Sequence, residues 1–308
     1  ASGDLPDVFL RCGFPDLDVL RYGEQGVFIE LNDLIDKYAP NLKACMETYP
    51  EVGKGLPEYN GKIYAAPVLY DSDAILMGTR FFIRKTWLDK LGLSAPTTTD
   101  ELYEMLKAFK ENDPNGNGQA DEIPWTSSSV ANVVNALKGA WGLQNRGSKH
   151  PNVDWDEEKN DLRFIPITEE YKEMLQYLRK LYAEGLLDQE IFTMDHAKLI
   201  AKGEQDLVGA FNFVNSQAIG ATHEKEYEGI PEALEGPHGH KLWVQKGPVL
   251  RGKGSFQITN VCEYPEVAMR WVDYFYSEEG ATFFYMGVEG VTYKKNPDGT
   301  VLLSSGDM

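Results

Sequence analysis

Short apolar runs typical of β-strands alternate along this chain with amphipathic helical segments, and this alternation limits the folds available to it. The runs cover 5–10, 63–70, 75–84, 206–214 and 254–259. Several are apolar on both faces, as strands buried inside a sheet are. Helices between such strands can cover a sheet, so the pattern predicts an α/β fold. The chain of 308 residues is long enough for two domains.

Two of the helical segments carry signals for their ends. Thr98 and Glu101 have the spacing of a capping box ahead of an amphipathic stretch. A second helix is expected after Thr168, with Gly185 placed to end it. Two polar stretches rich in turn-forming residues are predicted to be loops, at 142–161 and 223–252.

The charge balance excludes several classes of partner. The chain has 48 Asp and Glu against 30 Lys and Arg, a net charge of −18, whereas nucleic acids and anionic membranes attract a basic face. No apolar run approaches the roughly 18 residues of a transmembrane helix. The three cysteines, Cys12, Cys45 and Cys262, are too widely spaced for a disulfide framework or a CxxC metal site. We therefore expect a globular protein whose partner is neither nucleic acid nor an anionic membrane surface.

The sharpest chemical signal is an oxygen-rich loop at 113–122, with the sequence DPNGNGQADE. Oxygen-bearing side chains recur at its first, third and fifth positions, and Gly118 occupies the sixth, where a calcium loop turns sharply. Position twelve is Pro124 instead of the usual Glu, and a strand is expected to follow in place of a second helix. A structural calcium ion is the favoured interpretation and a metal-free turn is the alternative. The candidate ligands are Asp113, Asn115, Asn117, Gln119, Asp121 and Glu122.

No motif for catalysis accompanies this loop. The sequence lacks a GxSxG elbow, an HExxH motif, a Walker loop and a GxGxxG motif. His238 and His240 form one HxH pattern, which in a Gly-rich stretch is more often solvated than metal-bound. Acid pairs such as Asp16 and Asp18 are expected by chance among 48 acids. The sequence therefore predicts a protein that is not an enzyme.

Three blocks of sequence carry a family resemblance. They read NGKIYAAP at 60–67, FFIRKTWLDKLGLSAPTTTDELYEMLKAFKENDPNGNGQADEIPWT at 81–126, and NVCEYPEVAMRWVDYFYSEEGATFFYMGVEGVTY at 260–293. On these blocks the chain resembles the extracellular solute-binding protein family 1 of ABC importers. Within that family it is similar to the large Gram-positive lipoproteins related to alginate-oligosaccharide-binding proteins.

The resemblance implies a two-lobed, periplasmic-binding-protein-like α/β fold with a hinge. A sugar or oligosaccharide would lie in the cleft between the lobes, and the closed form would dock on a membrane permease without doing chemistry. The implied division is 1–72 for part of lobe one, 73–250 for lobe two with the calcium loop, 251–290 for the return to lobe one, and 291–308 for the start of a crossing back.

The resemblance also implies a monomeric, cell-surface lipoprotein. Against the family pattern both ends of this chain are expected to be truncated, with the lipid anchor upstream. The alternative function, from another class, is a calcium-stabilised secreted enzyme that acts on polysaccharide.

Ligand residues are implied at strand ends that face the cleft. Sugar sites combine flat apolar rings with planar polar groups. Core packing is the alternative for the two tryptophans of the set, and a solvated turn for the two aspartates. The candidates are Tyr70, Asp71, Asp73, Trp125, Ser127, Trp141, Asn212 and Asn215. The oxygen-rich loop also matches that of the alginate-binding branch, whose pattern lacks the Glu at position twelve as well.

Overall fold

A computed structural model describes residues 4–72, 76, 78–143, 150–156, 159–243, 247–297 and the backbone of 301–303. The chain divides into two compact units. The first unit comprises Ala1–Tyr70 and Val249–Met308, and the second comprises Asp71–Pro248. The chain therefore leaves the first unit once and returns to it once.

The described residues form eleven strands. They are β1 (Val8–Leu10), β2 (Ala66–Leu69), β3 (Arg80–Arg84), β4 (Ile123–Ser127), β5 (Val153–Asp156), β6 (Asp161–Phe164), β7 (Val208–Phe213), β8 (Tyr227–Gly229), β9 (Leu250–Ile258), β10 (Tyr293–Lys295) and β11 (Val301–Leu303).

The same residues form eleven α-helices. They are α1 (Asp16–Glu24), α2 (Asn32–Tyr38), α3 (Pro40–Thr48), α4 (Pro50–Gly55), α5 (Lys85–Leu91), α6 (Thr99–Glu111), α7 (Val130–Leu137), α8 (Glu169–Ala183), α9 (His196–Glu204), α10 (Pro265–Tyr274) and α11 (Glu278–Met286).

In the first unit, β9 is the central strand of a three-stranded antiparallel sheet with the order β1-β9-β2. Phe256 and Ile258 of β9 are fully buried in a core that includes Leu42 from α3 and Met269 from α10. Asp273 of α10 reinforces this packing, because its carboxylate accepts hydrogen bonds from the backbone N–H groups of Asn41 and Leu42 (3.2 and 2.8 Å) in the first turn of α3. A buried carboxylate at a helix N-terminus is favourable because those N–H groups have no intrahelical partner.

The second unit contains a four-stranded sheet with the order β4-β7-β3-β8. β4 runs parallel to β7, whereas β3 is antiparallel to both β7 and β8. Its core contains Trp125, Phe211 and the inner face of α6, including Leu106 and Phe109. Together with the helices of the first unit, this arrangement confirms the α/β class.

The helix ends predicted from local signals are present. The Thr98 hydroxyl accepts a hydrogen bond from the Glu101 backbone N–H at 3.1 Å, which starts α6. The Thr168 hydroxyl accepts one from the Tyr171 N–H at 3.2 Å and starts α8. Gly185, with φ +67°, follows the end of α8, a conformation that glycine adopts without a Cβ penalty.

The predicted loop at 142–161 is partly wrong, because it contains β5 and the first residue of β6. These strands form an antiparallel hairpin that pairs Asp154 with Arg163 and Trp155 with Leu162. The Asp154 side chain is only 1% exposed and makes two hydrogen bonds with Arg163, at 2.8 and 2.6 Å. The hairpin thus turns its charged pair inward and leaves Trp155 and Leu162 exposed. This polarity is the reverse of an ordinary surface hairpin, so a period-two apolar pattern did not reveal which face is buried. The 223–252 stretch likewise contains β8 and the start of β9.

Candidate functional site

The oxygen-rich loop connects α6 to β4, as helix–loop–strand. The Asp113 carboxylate organises it by accepting hydrogen bonds from three backbone N–H groups. These belong to Gly116 and Asn117 (2.9 and 3.1 Å, on Oδ1) and to Gly118 (3.0 Å, on Oδ2). The chain can wrap around one side chain in this way because Gly118 adopts φ +75°, which residues with a Cβ rarely do.

The amide side chains of the loop also fold back onto its backbone. Asn115 Oδ1 accepts from the Asn117 N–H at 3.0 Å, and Asn117 Oδ1 accepts from the Gln119 N–H at 2.7 Å. The Asn117 side-chain amide donates to both oxygens of Asp121, each at 3.1 Å. The side chains at the first, third, fifth and ninth positions are therefore connected to one another, as a loop that gathers oxygen ligands requires.

Glu122 is the least satisfied carboxylate of this loop. Both of its carboxylate oxygens are buried and accept no hydrogen bond from the described residues. Burial raises the pKa of Glu122, and the nearby charges of Asp113 and Asp121 raise it further. A buried carboxylate without a donor, close to two others, is an arrangement that a divalent cation would stabilise.

The residues present therefore fit a calcium ion. Within the described ranges, no three His, Cys, Asp or Glu side chains converge as a ready-made metal cage. Calcium loops also draw on amide and backbone carbonyl oxygens, which Asn115, Asn117 and Gln119 supply here.

Three of the predicted ligand residues are buried in the second unit, which favours core packing for Trp125, whereas Asn212 also lines a cavity. Trp125 is 0% exposed, its indole N–H donates to Asn212 Oδ1, and its ring lies 5.1 Å from that of Phe81. Ser127 and Asn212 are equally buried, and the Ser127 hydroxyl donates to the Asn212 carbonyl at 2.8 Å. Parallel pairing of β4 with β7 places these residues side by side inside the sheet. Trp125 thus has no exposed face for a sugar ring.

Trp141 is also a core residue. It is 3% exposed and lies 5.4 Å from the ring of Tyr177 on α8. The alternative that the sequence left open for both tryptophans, core packing, is the one the structure adopts.

The remaining candidates are closer to solvent. Tyr70, in the first unit, is half-buried, with its ring 6.2 Å from that of Tyr285. Asp71 and Asn215, in the second unit, are exposed. Asp73 lies outside the described residues. A ligand role for these four residues stays a prediction.

Sequence reasoning missed a small cavity in the second unit that is bordered by Trp243. The cavity has a volume of about 40 Å³, and its lining includes Thr79, Asn135 and Asn212. Trp243 lies in the 223–252 stretch, where no helical or strand periodicity marked it. The one signal available was an indole within a polar, turn-rich segment.

Comparison with known proteins identifies the family. The sequence model of the family described as bacterial extracellular solute-binding protein matches residues 1–282. The chain belongs to this family. The predicted resemblance is thereby confirmed.

Two curated relatives with similar sequences are carbohydrate-binding proteins. The fructooligosaccharide ABC transporter substrate-binding protein FusA of Streptococcus pneumoniae serotype 4 is 34% identical over 280 residues, which is 89% of this chain and 51% of FusA. The polygalacturonan/rhamnogalacturonan-binding protein YtcQ of Bacillus subtilis is 27% identical over 316 residues, covering 97% of this chain and 58% of YtcQ. This chain therefore spans about half the length of the curated relatives it matches. Both relatives are described as binding proteins, and the enzyme alternative is not favoured.

Solved structures share the fold. FusA in complex with kestose superposes with a TM-score of 0.80 at 30% identity, covering 97% of this chain and 62% of that one. A structure of an EF-hand mutant of FusA in complex with fructo-nystose superposes with a TM-score of 0.79 at 30% identity, and it covers the same shares of the two chains. The alginate-binding protein AlgQ2, solved without calcium ion, superposes with a TM-score of 0.75 at 28% identity. The match covers 98% of this chain and 61% of AlgQ2. These matches confirm the predicted solute-binding α/β fold.

None of the described helices combines the length and apolar character needed to cross a bilayer.

Proposed function

We propose that this chain is the oligosaccharide-binding part of an extracellular substrate-binding component of an ABC importer. The observation that carries the proposal is the family match over residues 1–282, together with 34% identity to a fructooligosaccharide-binding protein over 89% of the chain. The proposed partners are a carbohydrate and a membrane permease. The ligand is held and released unchanged, because the sequence contains no nucleophile–base motif and the relatives are binding proteins.

A binding assay with a product analysis tests this function. The 308-residue chain is titrated with kestose, nystose, raffinose, trigalacturonate and an alginate trisaccharide, and both the heat of binding and the melting temperature are measured. We expect at least one saccharide to bind and to raise the melting temperature, because a ligand specific for the native state stabilises it. Chromatography of the saccharide after prolonged incubation should show it intact. Sustained hydrolysis, or no binding across the panel, would contradict the proposal.

We further propose that a calcium ion stabilises the second unit at the loop 113–122. The buried, donor-free carboxylate of Glu122 beside Asp113 and Asp121 supports this assignment. When bound, calcium would neutralise these acids and join the end of α6 to the start of β4. The proposed ligands are those predicted from the sequence, Asp113, Asn115, Asn117, Gln119, Asp121 and Glu122.

Removal of calcium tests this site. We expect the native melting temperature to fall on chelation and to recover when calcium, but not magnesium, is restored, because calcium tolerates a flexible cage of oxygens. Glu122→Gln should abolish the response to calcium. Glu104→Gln, an exposed carboxylate on the same helix α6, is the matched control and should retain it. A melting temperature that is the same with chelator and with calcium would show that the loop is only a turn.

A further inference from the structure

The cavity beside Trp243 is formed entirely by residues of the second unit. Asn135 contributes from α7, Asn212 from β7 and Thr79 from the segment before β3, while Leu242 and Trp243 border it from the segment after β8. Four separate parts of the sequence thus meet at one concave surface. This cavity is distinct from the oxygen-rich loop, none of whose residues line it.

Trp243 differs from the three buried tryptophans of this unit, Trp87, Trp125 and Trp141. Its side chain is 49% exposed, whereas Trp125 and Trp141 are enclosed in the core. Among the described residues no other aromatic ring and no cation stacks on its indole. The rest of the lining is mostly apolar, with Thr79, Asn135 and Asn212 as its polar members. An exposed indole face beside an apolar cavity that holds a few polar groups is an arrangement on which the C–H-rich face of a sugar ring packs.

Asn135 supplies a polar group that the fold does not use. Its side chain is half-buried and lines the cavity, and it makes no hydrogen bond within the described parts of the chain. The Asn212 amide, in contrast, accepts from the Trp125 indole and donates weakly to the Arg80 carbonyl (3.4 Å), so it forms a fixed wall. An asparagine amide offers a donor and an acceptor together, which matches a sugar hydroxyl.

The size of the cavity limits what can enter it. A volume of about 40 Å³ accommodates a few water-sized groups, since one water needs roughly 10–15 Å³ by this measure. A whole pyranose or furanose ring does not fit. A hydroxymethyl group or a pair of ring hydroxyls does, with the ring itself lying outside on Trp243.

The charge of the lining selects between classes of saccharide. No Lys, Arg or His lines the cavity among the described residues. Lys241, next but one to Trp243 in sequence, is already paired with Glu232 at 2.9 Å. A uronic acid carboxylate is bound most strongly by charge-assisted hydrogen bonds from such a cation, and the net charge of −18 disfavours a polyanion further.

We propose that Trp243 and Asn135 form a subsite for one ring of a neutral oligosaccharide, whose hydroxyl-bearing edge enters the cavity while its apolar face covers the indole. This inference rests on the proposed oligosaccharide-binding function. It adds that Trp243 is the residue against which a sugar ring packs, and that the ligand is uncharged.

Variants at the two residues test the subsite. Binding of kestose, nystose and raffinose as neutral probes, and of trigalacturonate and an alginate trisaccharide as acidic probes, is measured by titration calorimetry on the full 308-residue chain. Trp243→Ala should lower the affinity for the tightest-binding neutral saccharide at least tenfold. Trp243→Phe keeps a flat ring and should lower this affinity less. Asn135→Leu should also lower it. Trp155→Ala removes an indole of similar exposure, 44%, from the same unit and should leave the affinity within twofold of native.

The possible outcomes distinguish a failure of this inference from a failure of the proposed oligosaccharide-binding function. A neutral probe that binds Trp243→Ala as tightly as the native chain overturns the subsite but leaves the importer function standing. If only the acidic saccharides bind, the inference that the ligand is neutral is wrong, but the oligosaccharide-binding function stands. If no saccharide binds the native chain, the proposed function fails and the subsite with it. Equal melting temperatures of Trp243→Ala and native protein confirm that a loss of binding is not a loss of folding.

Discussion

At the scale of single residues, Trp125 illustrates how burial decides a role. Its indole fills the core between β4 and β3 and donates its N–H to Asn212. Trp125→Ala should therefore lower the free energy of unfolding by about 3–5 kcal/mol, since it deletes a fully buried aromatic side chain and leaves the Asn212 oxygen without its donor. Urea denaturation measures this change.

Trp155→Ala, which removes an exposed indole, is the control for Trp125→Ala. It should lower the free energy of unfolding far less. If Trp125→Ala kept its stability and lost only saccharide affinity, Trp125 would be a ligand platform after all.

Lys138 is a buried charge whose cost depends on pH. It lies in the short 3-10 turn after α7, is 1% exposed, and donates to the Pro151 carbonyl. Burial lowers the pKa of Lys138 to about 8, although the charge of Asp154 opposes this shift. Unfolded lysine titrates near pH 10.4, so between about pH 8 and 10.4 the unfolded state holds a proton that the folded state lacks. The free energy of unfolding contributed by this residue therefore rises with pH across that window.

Lys138→Met provides the test of this pH dependence. The stability of native protein relative to Lys138→Met should rise by about 2 kcal/mol between pH 7 and pH 9.5, at 1.4 kcal/mol per pKa unit. Parallel stability profiles for the two proteins would show that Lys138 keeps an ordinary pKa.

At the scale of elements, the β5–β6 hairpin depends on its inward ion pair. Arg163 makes two hydrogen bonds to Asp154 and a third to the Gly142 carbonyl at 3.0 Å, which ties the hairpin to the turn that follows α7. Asp154→Ala should destabilise the protein by about 3–5 kcal/mol, because it leaves Arg163 partly buried without its counter-charge.

Asp33→Ala is the control for the hairpin pair. Asp33 is 88% exposed and pairs with Lys37, and exposed pairs contribute little. Thermal unfolding of both variants makes the comparison, and equal losses would mean that the inward pair does not support the hairpin.

The helices separate into those that local sequence marks and those that packing creates. Thr98 and Thr168 mark α6 and α8 through their caps, and both helices are long enough to show an apolar stripe. The helices α2 and α4 have seven and six residues, too few for a clear period, and isolated helices of that length are unstable in water. Their existence depends on the core against which they pack, so they were not predicted.

At the scale of the whole molecule, the chain passes between its compact units after Tyr70 and before Val249. The family resemblance implied two lobes that close on a ligand, and closure stays a prediction for this chain. Closure requires the closed state to bind ligand better than the open state. We expect the radius of gyration, measured by small-angle scattering, to fall when the chain is saturated with its saccharide.

Trp243→Ala is the control for closure and, at a saccharide concentration near the native Kd, should show a smaller fall in radius than the native chain. An unchanged radius for the native chain at saturation would indicate a rigid, preformed site.

Local sequence was enough to predict the features that depend on neighbours along the chain. Strand and helix periodicity predicted the α/β class, the Thr98 and Thr168 caps predicted two helix starts, and the spacing of oxygens from Asp113 to Glu122 marked the loop for which we propose calcium. The exposure of individual side chains was not predictable in this way, because burial depends on which distant segments of the chain meet. Pairing of β4 with β7 buried Trp125, packing of the hairpin against the turn after α7 buried Asp154, and the meeting of α7 with the segment after β8 left Trp243 exposed beside Asn135.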